Sequence, residues 1–258
     1  MVWTHTLNPI AFSVAGIEVE WYAFGYVLSF ILVIAYALWR LRLGKAPLAK
    51  KPLWTTMLWG ALSLILGARL GYVLFYEPSY YFANPLEILQ IWYGGFSFHG
   101  GLIGVGLALW YFSRRNNVPF LRLVDFFAVP LAACQIFGRI GNFISGELYG
   151  RPTTLSWGVV FPLAEDGVAR HPSQLYEIGY NLLNSIIMFA NRDHQYGDGF
   201  LTGLWMVVYG IGRFGVEFLR EPDYWVGPLT AGQTLTIPVL AVGAYVLWRS
   251  QGLRGKYL

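Results

Sequence analysis

The sequence predicts an all-α, polytopic integral membrane protein with seven transmembrane helices, on three observations: an apolar composition, seven long apolar stretches and a one-sided distribution of basic residues. Of 258 residues, 56% are hydrophobic and only 12% charged, with a mean hydropathy of +0.48. A soluble domain of this length needs more polar surface to cover its core, so composition selects the membrane class. The apolar stretches run over 21–39, 54–76, 96–112, 123–144, 174–190, 199–219 and 234–248. Most match the ~20 helical residues that cross a hydrocarbon layer of about 30 Å; the third and the last are short.

Orientation follows from Lys and Arg. Arg40, Arg42, Lys45, Lys50, Lys51, Arg114, Arg115, Arg122, Arg192, Arg249, Arg254 and Lys256 fall on one set of connections and ends, and only Arg151, Arg170 and Arg220 on the other. Twelve against three places the N-terminus outside and the C-terminus in the cytoplasm, as an odd number of spans requires. The same distribution accounts for the net charge of +4 without a nucleic-acid partner. Residues 1–258 read as a single transmembrane domain, with outward loop segments around 77–97, 145–173 and 220–233. No cleavable signal peptide is expected, because the first twenty residues lack a basic region and lead straight into a span. The single cysteine, Cys134, excludes an intrachain disulfide and reads as small core packing.

Three basic residues remain inside spans: Arg69, Arg139 and Arg213. A guanidinium at the centre of a bilayer costs about 2.5–3.5 kcal/mol on insertion scales, so each needs an acceptor or a hydrated cavity. In the assigned topology all three sit toward the outer leaflet. Arg69, in GARLG, has a bland reading, snorkelling alone to the interface. Arg213 and Glu217 are spaced i,i+4 and can neutralise each other, with or without serving a site. Arg139 has Asn142 on the same helical face, which adds a second polar group to satisfy.

Other features are less specific. His99 opens the third span in FHGGLIGV, where proton transfer competes with a structural hydrogen bond. Gly67 with Gly71, and Gly100 with Gly104, form small faces that admit another helix or a lipid head group. RHPSQLYE at 170–177 reads equally as a lining of the outer mouth or as helix capping. Tyr22 lies at the depth of the arginines. GELYGR lacks the Lys and Ser/Thr of a nucleotide loop, the four histidines show no metal spacing, and no serine stands in a nucleophile elbow. Guanidinium forks suit phosphate oxygens, so the set reads first as a site for a phospholipid head group. A transporter or channel for an anionic solute is the alternative; it requires polar residues at both depths, and Asp125 is the main charge in the inner halves.

FHGGLIGV, GRIGNFISGELYGR at 138–151, RHPSQLYE and YGIGRFGVEFLREPD occur together and in this order. In them the chain resembles the bacterial phosphatidylglycerol:prolipoprotein diacylglyceryl transferase family, from the Trp21–Tyr22 pair to the last span. The resemblance implies a seven-span enzyme of the bacterial inner membrane, with its N-terminus and active site on the periplasmic side. It implies the first step of lipoprotein maturation: transfer of diacylglyceryl from phosphatidylglycerol to the lipobox cysteine of a prolipoprotein signal peptide, among membrane lipids, with no metal or organic cofactor. By motif, His99, Arg139 and Arg213 are the expected catalytic residues. Tyr22, Asn142, Glu147, Gly150, Glu217 and Arg220 are the expected substrate-binding residues. Given that substrate, the chemistry of the displacement suggests roles: His99 removes the thiol proton, directly or through water, and Arg139 and Arg213 stabilise the leaving phosphate, with Arg213 alternatively assisting near the thiol. Glu147 and Glu217 hold the guanidiniums, and Asn142 and Tyr22 bind head-group oxygens. Ser145 departs from the asparagine usual at its position.

Overall fold

The computed structural model of the chain describes residues 2–14 and 17–251. Arg254 and Lys256, counted with the cytoplasmic charges, lie outside the described residues. Each expected apolar stretch holds a helix: α1 (Trp21–Arg42), α2 (Lys50–Phe75), α4 (Phe98–Arg115), α5 (Phe120–Ser145), α6 (Ser173–Ala190), α7 (Phe200–Val216) and α8 (Ala231–Gln251); α3 (Pro78–Ala83) is a short surface turn. By length and composition α1, α2, α5 and α8 can cross a membrane, and α7 is a shorter apolar helix. The burial pattern departs from that of a soluble protein, although an apolar core that includes Leu53, Leu123, Phe161 and Met188 is present. Arg69, Asn142, Glu177, Asn181, Asn184 and Glu217 are buried, while Leu58, Ile103, Leu107, Ile186 and Ile211 are exposed, as expected where lipid is the solvent.

Short strands in the connections add to the all-α expectation. β2 (Ile10–Val14) pairs antiparallel with β3 (Ile17–Glu20); β1 (Trp3–Thr4), β4 (Val159–Val160) and β5 (Ala169–Arg170) form a three-stranded sheet; β6 (Trp225–Val226) pairs with β7 (Leu229–Thr230). They run two to five residues, too few to leave a period-two signal in the sequence, and they satisfy backbone groups outside the helices.

The chain divides into two compact units, residues 37–124 and residues 1–36 with 125–258, and the division falls within α1 and α5. In the first, α2 packs on α4 through the glycines. A Cβ at Gly71 would stand 2.8 Å from Gly100 Cα, and one at Gly67 would overlap the Gly100 carbonyl. A neighbouring helix, not a lipid, therefore occupies this face. The Ser97 side chain caps α4 by accepting from Gly100 N–H at 3.3 Å.

Arg69 does not snorkel alone. It is 4% exposed and donates to the carbonyls of Ile88 (2.9 Å), Gly94 (2.7 Å) and Glu87 (2.7 Å), with its guanidinium 4.9 Å from the centre of the Tyr81 ring. The loop has folded around the charge, which removes any need to reach water.

In the second unit Asp125 of α5 accepts from the N–H groups of Gly199 and Thr202 (both 2.7 Å) and from the Thr202 hydroxyl (2.6 Å). The carboxyl group thus caps the otherwise unpaired N–H groups at the start of α7. Cys134 is half-buried, its thiol 3.5 Å from the Ser29 carbonyl.

Candidate active site

The site is built within the second unit where α5, α6 and α7 bring charge into the apolar interior. Arg139 and Asn142 are one helical turn apart near the end of α5, and Arg139 Nη1 donates to Asn142 Oδ1 at 3.0 Å. Asn142 Nδ2 donates in turn to Glu147 Oε1 at 2.8 Å, across the turn that follows the helix. Arg139 Nε meets Glu177 Oε2 of α6 at 2.6 Å. The same carboxylate lies 3.5 Å from Arg220 and 3.8 Å from Arg213, and it accepts from the Tyr180 hydroxyl at 3.5 Å. Arg213 pairs with Glu217 one turn further along the chain, and Glu217 also accepts from the Thr230 hydroxyl at 2.5 Å.

Glu177 is therefore the shared carboxylate of three guanidiniums, with its side chain 1% exposed. Burial of such charges is tolerated only because each has a partner of opposite sign. Among the three guanidiniums around Glu177, satisfaction is incomplete at Arg213. Arg213 Nη1 is buried and has no hydrogen-bond partner among the described residues, since its Glu177 contact of 3.8 Å is too long for one. Arg139 keeps 22% of its side chain exposed. Together these leave donor capacity for an anionic group with several acceptor oxygens.

The 145–173 connection is held against α6 and the residues after α7 by its backbone. Gln174 Nε2 donates to the Glu147 carbonyl (2.6 Å), and the Ser173 hydroxyl to the Leu148 carbonyl (2.9 Å). Gly150 N–H donates to the His171 carbonyl and Arg151 N–H to the Leu219 carbonyl, both at 2.8 Å. Gly150 lies where these segments cross: an added Cβ would stand 2.5 Å from the Leu219 oxygen and 2.7 Å from the His171 oxygen. Glycine is thus needed here for close backbone approach. Of the two readings of RHPSQLYE, capping is not what the segment does, because no side chain caps α6 at Pro172. Its polar residues instead hold the connection and supply Glu177. His171 Nδ1 lies 3.1 Å from the Tyr176 hydroxyl, and burial pushes its pKa below the ordinary value.

Arg139, Asn142, Glu147, Gly150, Arg213, Glu217 and Arg220 all belong to this assembly. Tyr22 packs over Gly141, next to Asn142, and its hydroxyl lies 3.3 Å from that of Tyr26. Glu147 departs from its expected role: it reaches Arg139 through Asn142 rather than holding a guanidinium directly. His99 belongs to the other unit, exposed in the first turn of α4 and edge-on to Phe98. Ser145 ends α5 and is half-buried. The sequence reading did not single out Glu177 as the centre. A signal was present, since Glu177, Asn181 and Asn184 recur at i, i+4 and i+7 on an apolar helix, which marks one polar face turned inward. Among the described residues no three His, Cys, Asp or Glu side chains are grouped so that they could hold a metal ion.

An apolar, multi-helix chain whose interior gathers guanidiniums around shared carboxylates defines a class: an integral membrane protein with an internal site suited to an anionic group. Comparison with known proteins narrows it. The family described as Prolipoprotein diacylglyceryl transferase matches residues 9–249. Among curated relatives, the chain is 45% identical over 258 residues to the phosphatidylglycerol–prolipoprotein diacylglyceryl transferase of a Wolbachia from Drosophila simulans, covering 93% of this chain and 94% of the relative. It is 42% identical over 256 residues to the Cupriavidus necator enzyme of the same name, covering 93% and 92%, and 42% identical over 247 residues to that of Bordetella parapertussis, covering 92% and 93%. The chain belongs to the prolipoprotein diacylglyceryl transferase family.

Proposed function

We propose that the chain transfers the diacylglyceryl group of phosphatidylglycerol to the lipobox cysteine of prolipoproteins, the first step of lipoprotein maturation. The observation that carries this reading is the family match over residues 9–249, a range that takes in residues of both units. On the same ground residues 1–258 are one transferase domain. α1, α2, α4, α5, α6, α7 and α8 are seven spans of the bacterial inner membrane, with the C-terminus cytoplasmic. The charges at the C-terminal ends of α1, α4 and α8, Arg40, Arg42, Arg114, Arg115 and Arg249, support that orientation. The active site then opens to the periplasmic leaflet, with loop segments around 77–97, 145–173 and 220–233.

The reaction breaks the bond between the glycerol carbon and the phosphate oxygen and forms a carbon–sulfur bond. The cysteine thiol, with an ordinary pKa of about 8.5, must give up its proton, and the departing glycerol phosphate carries away the bonding electron pair. His99 takes the proton, directly or through water. Arg139 and Arg213 hold the phosphate, Arg213 through its spare Nη1, and act more strongly in a poorly hydrated interior than in water. Asn142 and Tyr22 contact head-group oxygens. Glu217 orients Arg213, Glu147 orients Asn142, Gly150 fixes the adjoining backbone, and Arg220 adds a third guanidinium beside Glu177 for the phosphate. A transporter for anions lacks support, because Asp125, the main charge at the inner depth, is consumed in capping α7.

The test incubates purified protein with phosphatidylglycerol vesicles and a lipobox peptide. Cysteine alkylation and released glycerol phosphate in equal amounts are expected, and neither product would sink the assignment. In the same assay His99→Gln should lower turnover by about 10²–10⁴-fold and remove the alkaline rise of its pH profile. An unchanged profile would assign the base elsewhere.

A further inference from the structure

Glu177 is more than a counter-ion. Its two oxygens sit within 2.6 Å of Arg139, 3.5 Å of Arg220 and 3.8 Å of Arg213, which is how a bound phosphate would sit among the same donors. A phosphate that gripped Arg139 through Nε as well as a terminal nitrogen would have to displace Glu177 from that donor. Charge makes the competition consequential. Three guanidiniums facing Glu177 and Glu217 leave the buried cluster one positive charge in excess. Glu147 and Asp223 are exposed, and Glu147 meets Asn142 rather than a guanidinium, so the high dielectric of water weakens their share in the balance. An excess of one balances a phosphodiester, which carries a single negative charge. It is overbalanced by a phosphomonoester, which carries about −1.5 to −2 at pH 7.

We propose that Glu177 is a positioning residue that competes with the ligand phosphate for Arg139 and Arg220, so that the cluster favours the diester substrate and expels the monoester product. This rests on reading the cluster as the phosphate site. Before binding, Glu177 holds Arg139 Nε and keeps the guanidinium in place. Arg139 and Arg213 meet the charge as it develops in the transition state; once the bond has broken, the product's full second charge exceeds what the cluster balances, and the carboxylate regains the guanidiniums as the product leaves. A merely structural Glu177 would stabilise the helices without distinguishing between the two phosphate charges.

The experiment measures inhibition of the wild type and Glu177→Gln by glycerol phosphate and by its methyl diester at pH 7.5, with thermal unfolding as a check on folding. The wild type should bind the diester at least as tightly as the monoester. In Glu177→Gln the order should reverse, with the monoester binding on the order of tenfold more tightly than to the wild type, the size of one additional charge-assisted hydrogen bond. Turnover should fall, and a burst of alkylated peptide should precede a slow steady state. Weaker monoester inhibition in a folded Glu177→Gln would overturn the proposal. So would a wild type that prefers the monoester, and that result stands even where the variant does not fold. Arg139→Ala distinguishes failure of the phosphate site from failure of the Glu177 role: full monoester inhibition there would remove the phosphate reading itself, whereas its loss there leaves the Glu177 arm to decide the inference alone.

Discussion

Arg69 and Arg139 are both arginines on apolar helices, and the protein accommodates them by different chemistry. Arg69 is enclosed by backbone carbonyls of the 87–94 segment; Arg139 is held by an acidic side chain that two further arginines share. Carbonyl dipoles fixed in a folded loop cannot be exchanged for a ligand, so Arg69 acts as an organiser of the chain between α2 and α4. A carboxylate held among several cations can be displaced by another anion, so the Arg139 cluster can bind one. The acceptor type, more than the intramembrane arginine itself, separates scaffold from site.

The comparison can be sharpened by breaking each side of it. Arg139→Ala should have the largest effect, lowering turnover on phosphatidylglycerol by about 10²–10³-fold, as for loss of a donor to a developing oxyanion; steady-state kinetics with saturating peptide would show it. Glu217→Gln removes the nearer of the two carboxylates that face Arg213 and leaves Thr230 with a weaker acceptor. We expect about 3–5 kcal/mol lower stability, measured by unfolding in detergent, and reduced turnover in the protein that remains folded. A stable and fully active variant would remove Glu217 from the assembly. Arg69→Ala should cost less, about 1–3 kcal/mol from unsatisfied carbonyls, and should expose the 77–97 segment to protease before any other part of the chain.

The smallest effect belongs to an ion pair outside the helices. Asp166 is held below its ordinary pKa first by the hydrogen bond from Arg170 and then by the Val168 N–H. A depressed carboxyl contributes stability that is present above its unfolded pKa of about 4 and is lost as pH falls through the lower folded value. Asp166→Asn should leave stability at neutral pH nearly unchanged and remove only that acid-side dependence, because exposed pairs contribute little. A large loss at pH 7 would mean that the 145–173 connection depends on this pair more than on its backbone ladder.

Composition and apolar spacing are enough to define the class of protein, the places of the seven helices and most of the residues that cluster at the candidate site. Hydropathy is a local property, and apolar stretches at 123–144 and 174–190 fold as α5 and α6 with bounds shifted by only a few residues. Arg139, Asn142, Arg213 and Glu217 could be identified because charge inside an apolar stretch is costly wherever the stretch lies. Helical spacing even gave two of the contacts, Arg139 with Asn142 and Arg213 with Glu217. Only the tertiary structure decided which partner each charge beyond its own helix takes. Arg69 is joined to a loop 18–25 residues away, Asp125 to the start of α7, and Glu177 to arginines on two other elements. Such pairings depend on how helices distant in sequence are juxtaposed. A carboxylate near a helix start, read alone, looks the same whether it faces water or three guanidiniums.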